Sequence, residues 1–102
     1  MSSKLEYFMK QAIDLAQKAY NLNDIPIGAV VVKNEKIIGK GYNQVKLLND
    51  PTAHAEIIAI RKACKKLKTT KLTGFTRKRF KLFDNLVCSE SYVDSSQFQQ
   101  TI

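Results

Sequence analysis

From Ile25 to Val32 the chain reads IPIGAVVV, an unbroken apolar run rich in β-branched residues. A strand with one wet face alternates apolar and polar residues, so a run without alternation suits a strand covered on both faces by helices. Asn34-Glu35-Lys36 then turns the chain into IIGKGYN, residues 37 to 43, and the two segments read as an antiparallel hairpin. Two segments offer the cover. Residues 4 to 20 repeat Leu5, Phe8, Met9, Ala12, Ile13, Ala16 and Tyr20 at helical spacing. After a polar connection from Gln44 to Asn49, Asp50-Pro51-Thr52 signals a helix start, and the helix is expected to run to about Lys68. Its stripe is Ala53, Ile57, Ile60, Cys64 and Leu67. From Thr69 the pattern dissolves, residues 75 to 81 are basic and aromatic, and residues 89 to 102 are rich in Ser and Gln without helix or strand periodicity. There is no internal repeat.

At 102 residues and 44% hydrophobic content the chain suits one domain with a modest core. No apolar run approaches the roughly 18 residues needed to span a bilayer, and MSSKLEYFMK lacks the apolar region of a secretory signal. A cytoplasmic protein away from membranes is the expectation, with Cys64 and Cys88 as reduced thiols. The formal charge of +8 is uneven, because ten of the seventeen Lys and Arg residues lie between Arg61 and Lys81, where there is no acid. That block is either a solvated helix face with a basic loop or a collector of anions such as RNA phosphates.

The stretch NDPTAHAEII, residues 49 to 58, places His54 and Glu56 two positions apart at a helix start. In zinc nucleobase deaminases one histidine and two cysteines hold the metal, its bound water attacks the carbon bearing the amine, and a glutamate that is not a ligand moves the proton. At a helix N-terminus a ligand and a proton shuttle at this spacing reach one small volume, whereas deeper in a helix two positions are about 200° of rotation. Taken singly, His54 is equally a capping or surface residue, and Glu56 a first-turn acid that complements the helix dipole. Cys64 lies ten residues of helix from His54, about 15 Å of rise, whereas two atoms bound to one zinc lie within about 4 Å of each other. It reads as a core residue. Cys88 stands in a segment with no partner cysteine at a metal-binding spacing.

From about Leu5 to Leu72 the chain resembles the tRNA adenosine deaminase family, within the cytidine-deaminase-like superfamily. The resemblance rests on YFMKQAIDLAQKAY, IPIGAVVVKNEKIIGKGYN and DPTAHAEIIAIRKA, in the family's order and spacing. It implies an α/β fold, an α/β/α sandwich with helices on both faces of a central sheet, and a homodimer acting on a tRNA anticodon stem-loop. It implies zinc as cofactor, with His54 as a metal ligand, Glu56 as the catalytic proton shuttle and Asn43 as a substrate-binding residue on the target base.

The departure is as specific as the match. After KLTG the family continues with a strand and then Pro-Cys-x-x-Cys at the next helix, and no such motif occurs here. The nearest echo, LVCSESY, puts Ser91, Tyr92 and Ser95 where the proline and both ligands belong. Residues 1–74 therefore read as the N-terminal part of a zinc deaminase domain and residues 75–102 as a divergent tail, as truncation or a frameshift near Gly74 would leave. The sandwich is expected to be incomplete on that side: helix, hairpin, helix, irregular tail, with one hairpin edge uncovered. The function implied is conversion of adenosine to inosine at the tRNA wobble position, with this chain alone inactive for want of two ligands. Two alternatives stand beside it, a deaminase of free guanine or cytosine and a non-catalytic RNA-binding or subunit-pairing module.

Overall fold

A computed structural model describes residues 3–68, 85–89 and 92–94. In chain order these form α1 (Ser3–Asn21), β1 (Gly28–Lys33), β2 (Lys36–Tyr42), α2 (Val45–Leu48), α3 (Ala55–Leu67), β3 (Asn85–Cys88) and β4 (Tyr92–Asp94). The strands make one sheet in the order β2-β1-β3-β4, every neighbouring pair antiparallel.

β1 is central, as its apolar run requires. Alternate residues point to opposite faces. Val30 and Val32 join Phe8 and Val87 on the α1 side, while Ala29 and Val31 join Ala55, Ala59, Ala63 and Leu86 on the α3 side. The hairpin turns on Asn34 and Glu35, both at positive φ (52° and 64°), as a two-residue loop matched to strand twist needs. The register slips between Val31 and Val32, so that Val31 faces Gly39, Val32 faces Ile37, and Ile38 is the extra residue of a bulge. The bulge lets Ile38 and Gly39 both lie toward α3.

Gly39 and Gly41 decide how α3 sits. A methyl on Gly41 would run into the Ala55 carbonyl oxygen and lie 2.7 Å from the Ala59 nitrogen, and one on Gly39 would meet the Ala59 carbonyl and lie 2.9 Å from the Ala63 nitrogen. The helix backbone thus rests on the strand backbone. Its buried residues are Ala55, Ala59 and Ala63, four positions apart, and larger side chains there would lift it away.

This corrects the expected stripe. Ile57 is 36% exposed, and Ile60 and Cys64 are only partly buried, flanking the alanine ridge. On α1 the same logic holds: Ala12, Ala16 and Ala19 are buried, while Ile13 and Tyr20 are 51% and 62% exposed. Spacing places Ala12 and Ala16 on the α1 stripe but misses Ala19 and the α3 ridge, because close backbone approach selects small residues that carry little periodic signal.

Two local assignments also change. Asp50 Oδ1 accepts hydrogen bonds from the Thr52 N–H (2.9 Å) and hydroxyl (2.7 Å). The Asp50-Pro51-Thr52 signal is therefore spent on a turn, and α3 starts at Ala55 with His54 as N-cap. The connection from Gln44 to Asn49 contains α2. Asp24, 5% exposed, starts it from 22 residues away, its Oδ2 accepting from the N–H groups of Lys46 (2.8 Å) and Leu47 (3.2 Å). Burial alone would raise this carboxyl's pKa, but the N–H groups of Ile25, Leu47 and Lys46 outweigh it and hold it below the usual range.

The α/β class and the helices on both faces stand. The irregular tail does not hold at 85–88 and 92–94, where β3 pairs with β1 and β4 with β3. The hairpin edge expected to be bare is covered: Ala29 faces Cys88, Val30 faces Val87 and Val31 faces Leu86. Leu86 and Val87 are buried on opposite faces, so this four-residue strand contributes to both cores. The rest of the expected tail lies outside the described residues. No described helix is long and apolar enough to cross a membrane.

Candidate functional site

Asn43 follows the last residue of β2 and is 2% exposed. Its backbone is pinned by its own N–H, which donates to the Ile27 carbonyl at 3.0 Å, and by the next residue, Gln44, whose N–H donates to Ala53 at 2.9 Å. Its side-chain Oδ1 accepts from the Ala55 N–H at 2.8 Å. That bond satisfies one of the orphan donors at the start of α3. The N-cap residue, His54, makes no such side-chain bond.

The consequence is geometric. Relieved of capping, the His54 side chain is exposed at the helix entrance, in extended backbone geometry (φ −79°, ψ 152°). Glu56 follows in the first turn, half-buried, where the helix dipole favours a carboxylate. Asn43 lies beneath, bonded to the residue between them. The three residues singled out by sequence therefore meet at one place, the start of α3 above the end of β2.

The two cysteines do not complete a metal site there. Cys64 lies at the far end of α3, where burial pushes its thiol pKa up. Cys88 ends β3 opposite Ala29 and packs against the α3-side core. Neither forms a disulfide. Among the described residues no three His, Cys, Asp or Glu side chains come close enough to hold a metal ion, whereas a tetrahedral zinc site of either kind takes at least three protein ligands. The donors of the described residues do not by themselves fit a zinc ion.

Two positioning residues carry no motif. Asp24 anchors α2, as described. Ser89, just beyond β3, holds Gly28 from both sides, its N–H donating to the Gly28 carbonyl at 2.8 Å and its hydroxyl accepting from the Gly28 N–H at 3.2 Å. Because Gly28 also pairs with Tyr42, Ser89 is held one rung from Asn43. Both depend on contacts more than twenty residues apart in sequence, which no local pattern reports.

A helix entrance bearing His-x-Glu thus lies over a sheet end that supplies a buried asparagine. Residues 2–78 match the family model for the cytidine and deoxycytidylate deaminase zinc-binding region, and the chain belongs to that family. It is 48% identical over 69 residues to the tRNA-specific adenosine deaminase of Aquifex aeolicus, covering 68% of this chain and 46% of that one. Among solved structures it resembles a tRNA:A34 deaminase acting in A-to-I editing at the wobble position, with a TM-score of 0.64 and 42% identity, covering 68% of this chain and 53% of the other. It also resembles the guanine deaminase of Bacillus subtilis, with a TM-score of 0.62 and 51% identity, covering 67% of this chain and 44% of the other. The chain spans about half the length of the curated relatives it matches. The family match ends at residue 78, before Cys88.

Proposed function

We propose that this chain carries the base-contacting and proton-moving half of a tRNA wobble adenosine deaminase, and that by itself it does not complete the zinc centre or turn over. One observation carries the reading: the Asn43 to Ala55 hydrogen bond gathers Asn43, His54 and Glu56 at one helix entrance, while no described cysteine joins them. Each residue has a role its chemistry suits. The His54 imidazole is the one metal ligand of the set, exposed because another residue caps the helix. The Glu56 carboxylate is placed to accept and return a proton, and Asn43 to orient the base.

The assignment to tRNA rests on similarity to tRNA-specific adenosine deaminases and on the basic block from Arg61 to Lys81. A cytoplasmic homodimer that engages an anticodon stem-loop belongs to the same reading. Deamination of a free base such as guanine is the second reading, supported by the 51% identity to the guanine deaminase. Binding of a stem-loop against binding of free guanine separates the two.

The test is metal content. After dialysis against a mild chelator the purified chain is expected to hold well under one zinc per monomer, because one histidine cannot make a closed site. Zinc held at one per monomer, and lost on changing His54 to Ala, would overturn the proposal.

A further inference from the structure

The two carboxylate oxygens of buried Asp24 are bonded to backbone N–H groups of two segments, one on each side of Asn43. Oδ1 accepts from Ile25 at 2.7 Å. The Ile25 carbonyl in turn accepts from Ile27 at 2.8 Å, across Pro26, and the Ile27 carbonyl accepts from Asn43 at 3.0 Å. Oδ2 accepts from Lys46 and Leu47 in α2. That turn is bonded back to Gln44, whose carbonyl accepts from Leu48 at 2.9 Å and whose N–H donates to Ala53 at 2.9 Å. The two branches close on the Asn43–Gln44 peptide. A path of hydrogen bonds that leaves one oxygen of Asp24 therefore returns to the other through the residue that holds Ala55. Capping and packing of its own do not fix α2. It is four residues long, its N-cap residue Gln44 makes no side-chain capping bond, and it buries none of its residues, whereas a helix holds by itself only from roughly 12–15 residues.

We propose that Asp24 is a positioning residue for base recognition, which holds the backbone of Asn43 from both sides and so sets the direction in which its carboxamide meets a base. The proposal rests on the reading above that Asn43 orients the base. With Oδ1 of Asn43 bonded to Ala55, recognition falls to Nδ2 and its two N–H donors. Their direction follows from the backbone that the two branches hold. Neither core cluster includes Asp24 or any residue of α2, so loss of the carboxylate loosens the connection from Gln44 to His54 and leaves the sheet and its two helices packed.

Two measurements on the full chain test it. Asp24→Asn keeps the side-chain volume but turns one acceptor oxygen into an NH2 group, so one branch is lost. In amide hydrogen exchange followed by NMR, the N–H groups of Gln44 and Ala55 are expected to exchange about tenfold faster in this variant, relative to those of Val30 and Val31 in β1, because local opening is separate from global unfolding. Equal acceleration at all of them, or none at Gln44 and Ala55, overturns the proposal. The second measurement is a double-mutant cycle in adenosine binding, by calorimetry, with Asp24→Asn, Asn43→Asp and the two combined. Asp24→Asn is expected to weaken binding about tenfold in the natural chain and by less than about twofold where Asn43→Asp is already present, since residues of one hydrogen-bond network do not add. Independent effects that multiply in the combined variant would leave Asp24 a structural residue only and overturn the proposal. A natural chain that binds no adenosine, with Gln44 and Ala55 still loosened by Asp24→Asn, overturns the base-site reading and the recognition role with it, while the hold of Asp24 on Asn43 stands.

Discussion

Replacing Asn43 with alanine removes a buried acceptor and strands the Ala55 N–H at the start of α3. Leaving a buried backbone donor without a partner costs about 1–3 kcal/mol, overlapping the roughly 0.5–2 kcal/mol found for losing an N-cap. For a domain of 60–100 residues each kcal/mol moves the melting temperature by roughly 4–8 °C, so the variant is expected to melt about 4–24 °C lower. Asn43→Asp separates the structural role from the recognition role. Its carboxylate keeps the acceptor and adds a charge that the helix N-terminus favours, but it lacks the amide N–H donors. It is expected to melt close to the natural chain at pH 7 and to lose discrimination between bases. Circular dichroism melts of the three proteins, with purine binding measured alongside, decide the matter. If Asn43→Ala melted within a degree or two of the natural chain, the bond would not hold the helix entrance, and the geometry argued for His54 and Glu56 would fall with it.

Gly41→Ala is expected to destabilise by about 1–3 kcal/mol, despite the stiffer unfolded chain that alanine brings. The methyl meets the backbone of α3 at Ala55 and Ala59, which cannot swing aside; urea unfolding at an unchanged m-value checks it. Asp24, held below the usual carboxylate range, stabilises fully above its unfolded pKa of about 3.9, and that contribution is lost as pH falls through the lower folded value. The difference in melting temperature between the natural chain and Asp24→Asn should therefore be constant from pH 7 to 5 and shrink below about pH 4; a difference that grew on acidification would contradict it.

The parts legible in the sequence were those with a strong local signal. IPIGAVVV announced a strand buried on both faces, and NEK a hairpin turn. HAE marked the helix entrance, and Asn43 was legible through resemblance although nothing in its neighbourhood says that it caps a helix twelve residues on. What escaped was set by distance or by size. The α3 ridge of Ala55, Ala59 and Ala63 looks in the sequence like weak positions between larger apolar ones, since only contact with Gly39 and Gly41 makes small size the requirement. Asp24 and Ser89 act across 22 and 61 residues. β3 and β4 carry no local signal because NLVC and YVD are too short for alternation to show; pairing along β1 gives β3 its strand geometry, and pairing along β3 gives β4 its own.

Inosine formation in an anticodon stem-loop by the zinc-supplemented chain, measured beside its Glu56→Ala variant, tests most directly the claim that a proton shuttle and one ligand are present without a completed metal centre. The account predicts a background rate that is identical for the two proteins. Inosine produced by the natural chain and abolished by Glu56→Ala would contradict it, and would mean that the missing metal donors are supplied from outside the described residues.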